Sequence, residues 1–185
     1  MEEEIQFILN KKWKPLLESF KNIEDGNYPG IYLLAFTDKN LEGEIVKPTD
    51  IFYVGMSNAR KGITSRIQQF INGIEKNGSH SAGMRFYKEN SKSIPFSKCS
   101  HLEKFYIVSL AFKCDVNKAT RTPNDLRIMG DICQLEYYLL AHIKEITNED
   151  VSYYHLNRYK NSPVITLNCS EFNMQNGRDY SCRFV

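Results

Sequence analysis

Apolar residues return along the chain with two different periods. From Ile63 to Lys76, residues Ile63, Ile67, Phe70, Ile71 and Ile74 recur every three or four positions, which is the spacing of one buried helix face. The run Gly30-Ile31-Tyr32-Leu33-Leu34-Ala35-Phe36 is unbroken and short, as a buried strand should be, and Gly26, Asn27 and Pro29 punctuate the chain before it. A polar loop leads to a second strand, Ile51 to Gly55, and two consecutive strands joined in this way predict an antiparallel hairpin. Aromatic and branched residues mark a third strand from Phe105 to Phe112. Ile8 to Phe20 reads as an amphipathic helix carrying Trp13, Leu16, Leu17 and Phe20, with Pro15 as a kink or as its true first turn. Ser81 to Asn90 reads as a short helix. The longest helix opens at Pro123, is capped by Thr122 and runs to about Ile146. Val164 to Leu167 is one further candidate strand.

Composition narrows this to one α/β unit. At 185 residues, with 42% apolar and 25% charged positions, the chain suits a single domain over 1–185 with an ordinary soluble core. Charged residues interrupt the first twenty positions, so no signal peptide is indicated, and no segment approaches a membrane span. Cys99, Cys114, Cys133, Cys169 and Cys182 are odd in number and scattered, which predicts reduced thiols and a cytoplasmic setting. Cys99 with His101 has no second ligand pair at a zinc-like spacing. The net charge of +2 conceals an asymmetry: residues 1–55 balance to −4, 56–128 to +8 and 129–185 to −2. A basic middle is what a polyanion-binding surface requires; a solvated lysine-rich face gives the same pattern.

One acidic side chain stands out against the helical phase. Met129, Ile132, Cys133, Leu139, Leu140 and Ile143 define an apolar face on the long helix, and Glu136 projects from near its centre. An ionised carboxylate there needs a partner, either a cation or an arginine in a buried ion pair. Arg66 falls at the border of the stripe on the earlier helix, where it either leans toward the sheet or snorkels to solvent. Tyr32 and Tyr53 sit on the two hairpin strands, as core aromatics or as phenols reaching one shared cavity.

The order of these residues carries more than any one of them. Gly30-Ile31-Tyr32 on one strand, Tyr53-Val54-Gly55 on the next and Arg66 on the following helix together resemble the GIY-YIG nuclease family. The resemblance spans about residues 29–168 and leaves 1–28 as an amino-terminal helical extension. It implies an α+β core with a small three-stranded antiparallel sheet flanked by helices, enlarged here by insertions. It also implies a metal-binding glutamate, matched by Glu136, and an asparagine near the end of the domain, matched by Asn168, with Asn173 as its rival. His80, in Gly78-Ser79-His80, resembles a histidine stretch of many members and is an accessory candidate; a plain core or surface histidine is the other reading. Phe70 departs from the family, many members of which place a Tyr or His at that point. Gly30 and Gly55 are the motif glycines.

The activity implied is metal-dependent endonucleolytic hydrolysis of DNA, with Mg²⁺ or Mn²⁺ as cofactor, most like the stand-alone restriction-endonuclease branch. Glu136 would hold the metal, Arg66 would clamp the scissile phosphate, Tyr32 would orient or activate water beside Tyr53, and Asn168 would orient the site. A cationic neighbour would have to favour the Tyr32 phenolate. Arg60, Lys61, Arg85, Lys88 and Lys92 would contact the nucleic-acid backbone, and cutting both strands would call for a homodimer.

Overall fold

In the computed structural model, β2 (Gly30–Phe36) is the central strand of a four-stranded antiparallel sheet ordered β1-β4-β2-β3. The residues described are 2–76, 80–90 and 102–147. β3 (Tyr53–Ser57) and β4 (Phe105–Ala111) flank β2, and β1 (Lys14–Pro15) lies beyond β4. The central position explains the unbroken apolar run, because helices cover both faces of β2. Ile31, Leu33 and Ala35 point into a core with α1 (Glu2–Leu9) and α5 (Pro123–Thr147). Tyr32 and Leu34 point the other way, toward α2 (Leu16–Ser19), α3 (Gly62–Lys76) and α4 (Ser81–Asn90). The fold is thus mixed α/β, with a layer of helix on each side of the sheet.

The α3 stripe, the α4 limits and the hairpin all agree with the pattern in the sequence. Two expectations do not. Ile8 to Phe20 is not one helix: α1 starts earlier and ends at Leu9, the chain is then non-helical up to Pro15, and it becomes helical again over α2 and a 3-10 turn from Phe20 to Asn22. Tertiary pairing overrides the helical spacing there. The N–H of Trp13 donates to the carbonyl of Glu44 at 2.9 Å, that of Gly43 to Trp13 at 3.0 Å, and that of Val46 to Lys11 at 3.1 Å. Pro15 ends the outer strand, where no N–H is needed, and is the N-cap of α2, so a helix does begin at this proline, as its reading as a first turn expects. That strand, β1, is also why the sheet has four strands and not three; two residues are too few to display an alternating pattern. Val164 to Leu167 lies outside the described residues.

The cap of α5 is a reciprocal box. The N–H of Thr122 donates to the Asp125 carboxylate at 2.7 Å and the N–H of Asp125 donates to Thr122 Oγ1 at 3.3 Å. These bonds, first those from Thr122, hold the Asp125 carboxyl below the usual range. Thr122→Ala is therefore expected to destabilise the protein by about 1 kcal/mol, read as a lower urea midpoint at unchanged m-value.

Candidate active site

Strand register builds the first half of the site. Tyr32 lies directly opposite Gly55. A Cβ on Gly55 would fall 2.4 Å from Tyr32 Cζ and 2.5 Å from its hydroxyl oxygen, so the phenol occupies the space a side chain would need. The Tyr32 ring therefore ends over the backbone of β3, fully buried, and its hydroxyl has no hydrogen-bond partner among the described residues. Tyr53 is its diagonal neighbour, with ring centroids 6.0 Å apart at 53°. Gly30 relieves a different crowding, since a Cβ there would meet the Leu110 carbonyl oxygen at 2.2 Å and Ile63 Cδ1 at 2.8 Å. Its bareness lets α3 settle on the sheet, and Arg66 follows Ile63 by three residues.

Around Tyr53 the neighbours are aromatic. Phe70 stacks on it at 5.8 Å and 12°, and His80 packs edge-on to both rings, 6.2 Å from Tyr53 and 5.4 Å from Phe70. His80 precedes α4, and its Nδ1 accepts the N–H of Gly83 at 3.3 Å, so the neutral ring carries its proton on Nε2. That nitrogen is buried and has no partner among the described residues. Burial first, then Arg66 and Arg85, pull the His80 pKa down to about 4. His80 is a permanent neutral donor at physiological pH.

The second half arrives from the opposite layer. Asn58, just after β3, donates through Nδ2 to the Met129 carbonyl at 3.0 Å and to Cys133 Sγ at 3.2 Å. These bonds tie the end of β3 to α5 within two turns of Glu136. The buried stripe of α5 is Ile132, Leu135, Leu139 and Ile143, while Cys133 is exposed. Glu136 therefore stands at the margin of the stripe and not near its centre; Leu135, absent from the expected face, rotates the true one away. From that margin the carboxylate comes within electrostatic range of Tyr32, Tyr53 and Arg66 past the rim of β3.

Burial raises the Glu136 carboxyl to about 7, with Arg66 only partly opposing it. No ion pair joins the two among the described residues; Arg66 Nη1 donates instead to Gln69 Oε1 at 3.1 Å. Burial is also the largest influence on both phenols. It raises Tyr32 well above the ordinary phenol range, helped by Tyr53 and against Arg66, and raises Tyr53, helped by Glu136. The expectation that a cationic side chain favours a phenolate is thus not met by the protein's own charges. As folded, both tyrosines are neutral.

The structure brings together Tyr32, Tyr53, Arg66, Glu136 and His80. Arg85, expected on a general backbone-binding surface, also acts on Tyr53 and His80 and so belongs to this group. Arg60, Lys61 and Lys88 are exposed, the first two on the turn between β3 and α3. Asn168, Asn173 and Lys92 lie outside the described residues. Two participants went unseen in the sequence: Gln69, whose signal is its i+3 spacing from Arg66, and Asn58, whose tie to α5 spans 71 positions and leaves no local trace.

A half-buried carboxylate with no partner among the described residues, in electrostatic range of the Tyr32 and Tyr53 hydroxyls, offers a hard oxygen donor, and this suits a divalent cation that keeps water and substrate oxygens in its shell. Among the described residues no three His, Cys, Asp or Glu side chains gather into a closed metal cage. No helix among them is long and apolar enough to cross a membrane. No protein-family model, characterised protein or solved structure matches the chain.

Proposed function

We propose that this chain is a divalent-metal-dependent endonuclease of the GIY-YIG type that hydrolyses phosphodiester bonds in DNA. The observation that carries the reading is that Tyr32, Tyr53, Arg66 and Glu136, drawn from four separate elements, lie within electrostatic range of one another. Glu136 would hold Mg²⁺ or Mn²⁺, which when bound supplies charge for the pentacovalent phosphorus and the leaving oxygen. Arg66 offers a planar fork of donors to the scissile phosphate, and exchanging Gln69 for a phosphate oxygen frees it to do so. Tyr32, neutral and with its hydroxyl near that of Tyr53, orients the attacking water and does not deprotonate it outright. Tyr53 borders the same space, and His80 presents one N–H donor. Arg85, which acts electrostatically on Tyr53, would contact a neighbouring phosphate of the backbone. Each such site cuts one strand, so a double-strand cutter of restriction type would act as a homodimer.

A second reading, a silent nucleic-acid-binding module, is favoured by Phe70, which is fully buried under Tyr53 and exchanges no proton. Plasmid relaxation with Mg²⁺ or Mn²⁺ separates the two. We expect the parent to nick supercoiled DNA and Glu136→Ala and Arg66→Ala to lose at least about 10²-fold in rate. DNA binding without any cleavage by the parent would leave the silent module; equal activity in all three proteins would remove both residues from the chemistry.

A further inference from the structure

Asn58 ties the two layers of the site together, and its amide has a fixed polarity. Val54 and Met56 turn from β3 into the core beneath α5, and Asn58, two residues on, continues that face. The turn behind it is pinned, since Ser57 Oγ donates to the Gly62 carbonyl at 3.0 Å and accepts the N–H of Ala59 at 3.3 Å. Asn58 Nδ2 lies 3.0 Å from the Met129 carbonyl and 3.2 Å from Cys133 Sγ. A carbonyl only accepts, so the nitrogen of the amide must face α5 there and the oxygen must face away from Met129. That oxygen, Oδ1, is buried and meets no donor among the described residues. A buried acceptor is costly to leave unpaired.

Glu136 is the neighbour that gives this oxygen a use. Cys133 and Glu136 stand three residues apart on α5, on one face and about 4.5 Å apart along the axis. Helical side chains lean toward the amino-terminal end of their helix, so Glu136 leans back toward the turn that Asn58 grips. We propose that Asn58 is a positioning residue of the metal centre: its side-chain oxygen accepts a hydrogen bond from a water in the shell of the cation held by Glu136. The inference rests on the nuclease reading and adds to it a residue that neither tripeptide motif contains. Among the described residues no three His, Cys, Asp or Glu side chains gather, so a cation on Glu136 keeps several waters, and these need acceptors to fix their directions. An amide oxygen is such an acceptor and brings no further negative charge to the site.

Mn²⁺ uptake by the full chain, read from the loss of the free-ion paramagnetic resonance signal, tests this beside the Tm of the metal-free protein. Asn58→Ala removes both the tie and the oxygen, and Mn²⁺ should bind about 10–100-fold more weakly. Asn58→Asp keeps the shape and the oxygens but sets one of them against the Met129 carbonyl. Its metal-free Tm should fall, while Mn²⁺ binds at least as tightly as in the parent. Cys133→Ala weakens only the tie and should leave Mn²⁺ affinity unchanged. A merely structural Asn58 would make affinity follow Tm across the three variants. That pattern, or parent-like affinity in a folded Asn58→Ala, overturns the inference; if Asn58→Ala does not fold, weaker binding by Asn58→Asp overturns it alone. Glu136→Ala separates this from failure of the nuclease reading. Uptake lost in that variant leaves the metal centre standing whatever Asn58 does, whereas a parent that takes up no Mn²⁺, or takes it up equally without Glu136, removes the centre and the inference together.

Discussion

Replacing Glu136 with glutamine is expected to abolish cleavage and yet make the protein harder to unfold above neutral pH. In the unfolded chain this carboxyl ionises near its ordinary 4.5, but in the folded protein it keeps its proton to about 7. Between those values the folded state binds the extra proton, so stability falls as pH rises through the window and stays lowered above it. Glutamine carries no charge to bury and escapes this cost. The shift sets a ceiling of about 3 kcal/mol. Solvent access to a half-buried group reduces this to about 1–2 kcal/mol, or roughly 3–6 °C in Tm at about pH 8, vanishing below about pH 4. Cleavage should fall by about 10³-fold or more, because the neutral amide holds a cation poorly. In the parent, by the same ionisation, cleavage should rise with pH up to about 7 and then level off. Scanning calorimetry at the two pH values decides the stability half. A Glu136→Gln variant that is less stable than the parent at alkaline pH would mean that the carboxylate already has a strong partner, and the vacancy offered to a metal would not exist.

Gly55→Ala is expected to be nearly as damaging through a single methyl group. That methyl would overlap both the end carbon and the hydroxyl oxygen of Tyr32, at 2.4 and 2.5 Å, and would also meet the Tyr53 ring at 2.7 Å. Neither ring has free space: Tyr32 is fully buried and Tyr53 is held against Phe70 and His80. The strands must part or the phenol must turn. Overpacking of this kind costs about 1–3 kcal/mol. If Tyr32 acts as proposed, displacement of its hydroxyl by an ångström or so should cost about 10²-fold in cleavage rate even where the protein remains folded. Urea unfolding and plasmid nicking on the same preparation separate the two effects. Normal cleavage by a folded Gly55→Ala variant would show that Tyr32 does not act over this strand.

Much of this architecture can be read from the chain because its patterns are local. The α3 stripe, the apolar run of β2 and the Thr122 cap each follow from residues within a turn or two of one another, whereas the apolar pattern of α5 misplaces Glu136 at the centre of a face whose true axis runs through Leu135 and Leu139. What escaped was non-local. The segment from Lys11 to Trp13 takes its conformation from partners at 43–46, and the tie from Asn58 to α5 joins residues far apart in sequence. The two tripeptide motifs are visible as letters, but the reason for the second glycine appears only in the register that sets Tyr32 across from Gly55. Phe70 reads as a loss in the sequence, whereas in space the neighbouring His80 ring rests against it.

The phenols and the carboxylate come from opposite layers of the molecule, with the sheet between them. Their separation is therefore governed by how thick the filling beneath α5 is. Val54, Ile132 and Leu139 act as shims in that filling: a bulkier or slimmer side chain at any of them would raise or lower the carboxylate against a fixed pair of hydroxyls. On the nuclease reading, side chains that never meet a substrate would thereby set the rate.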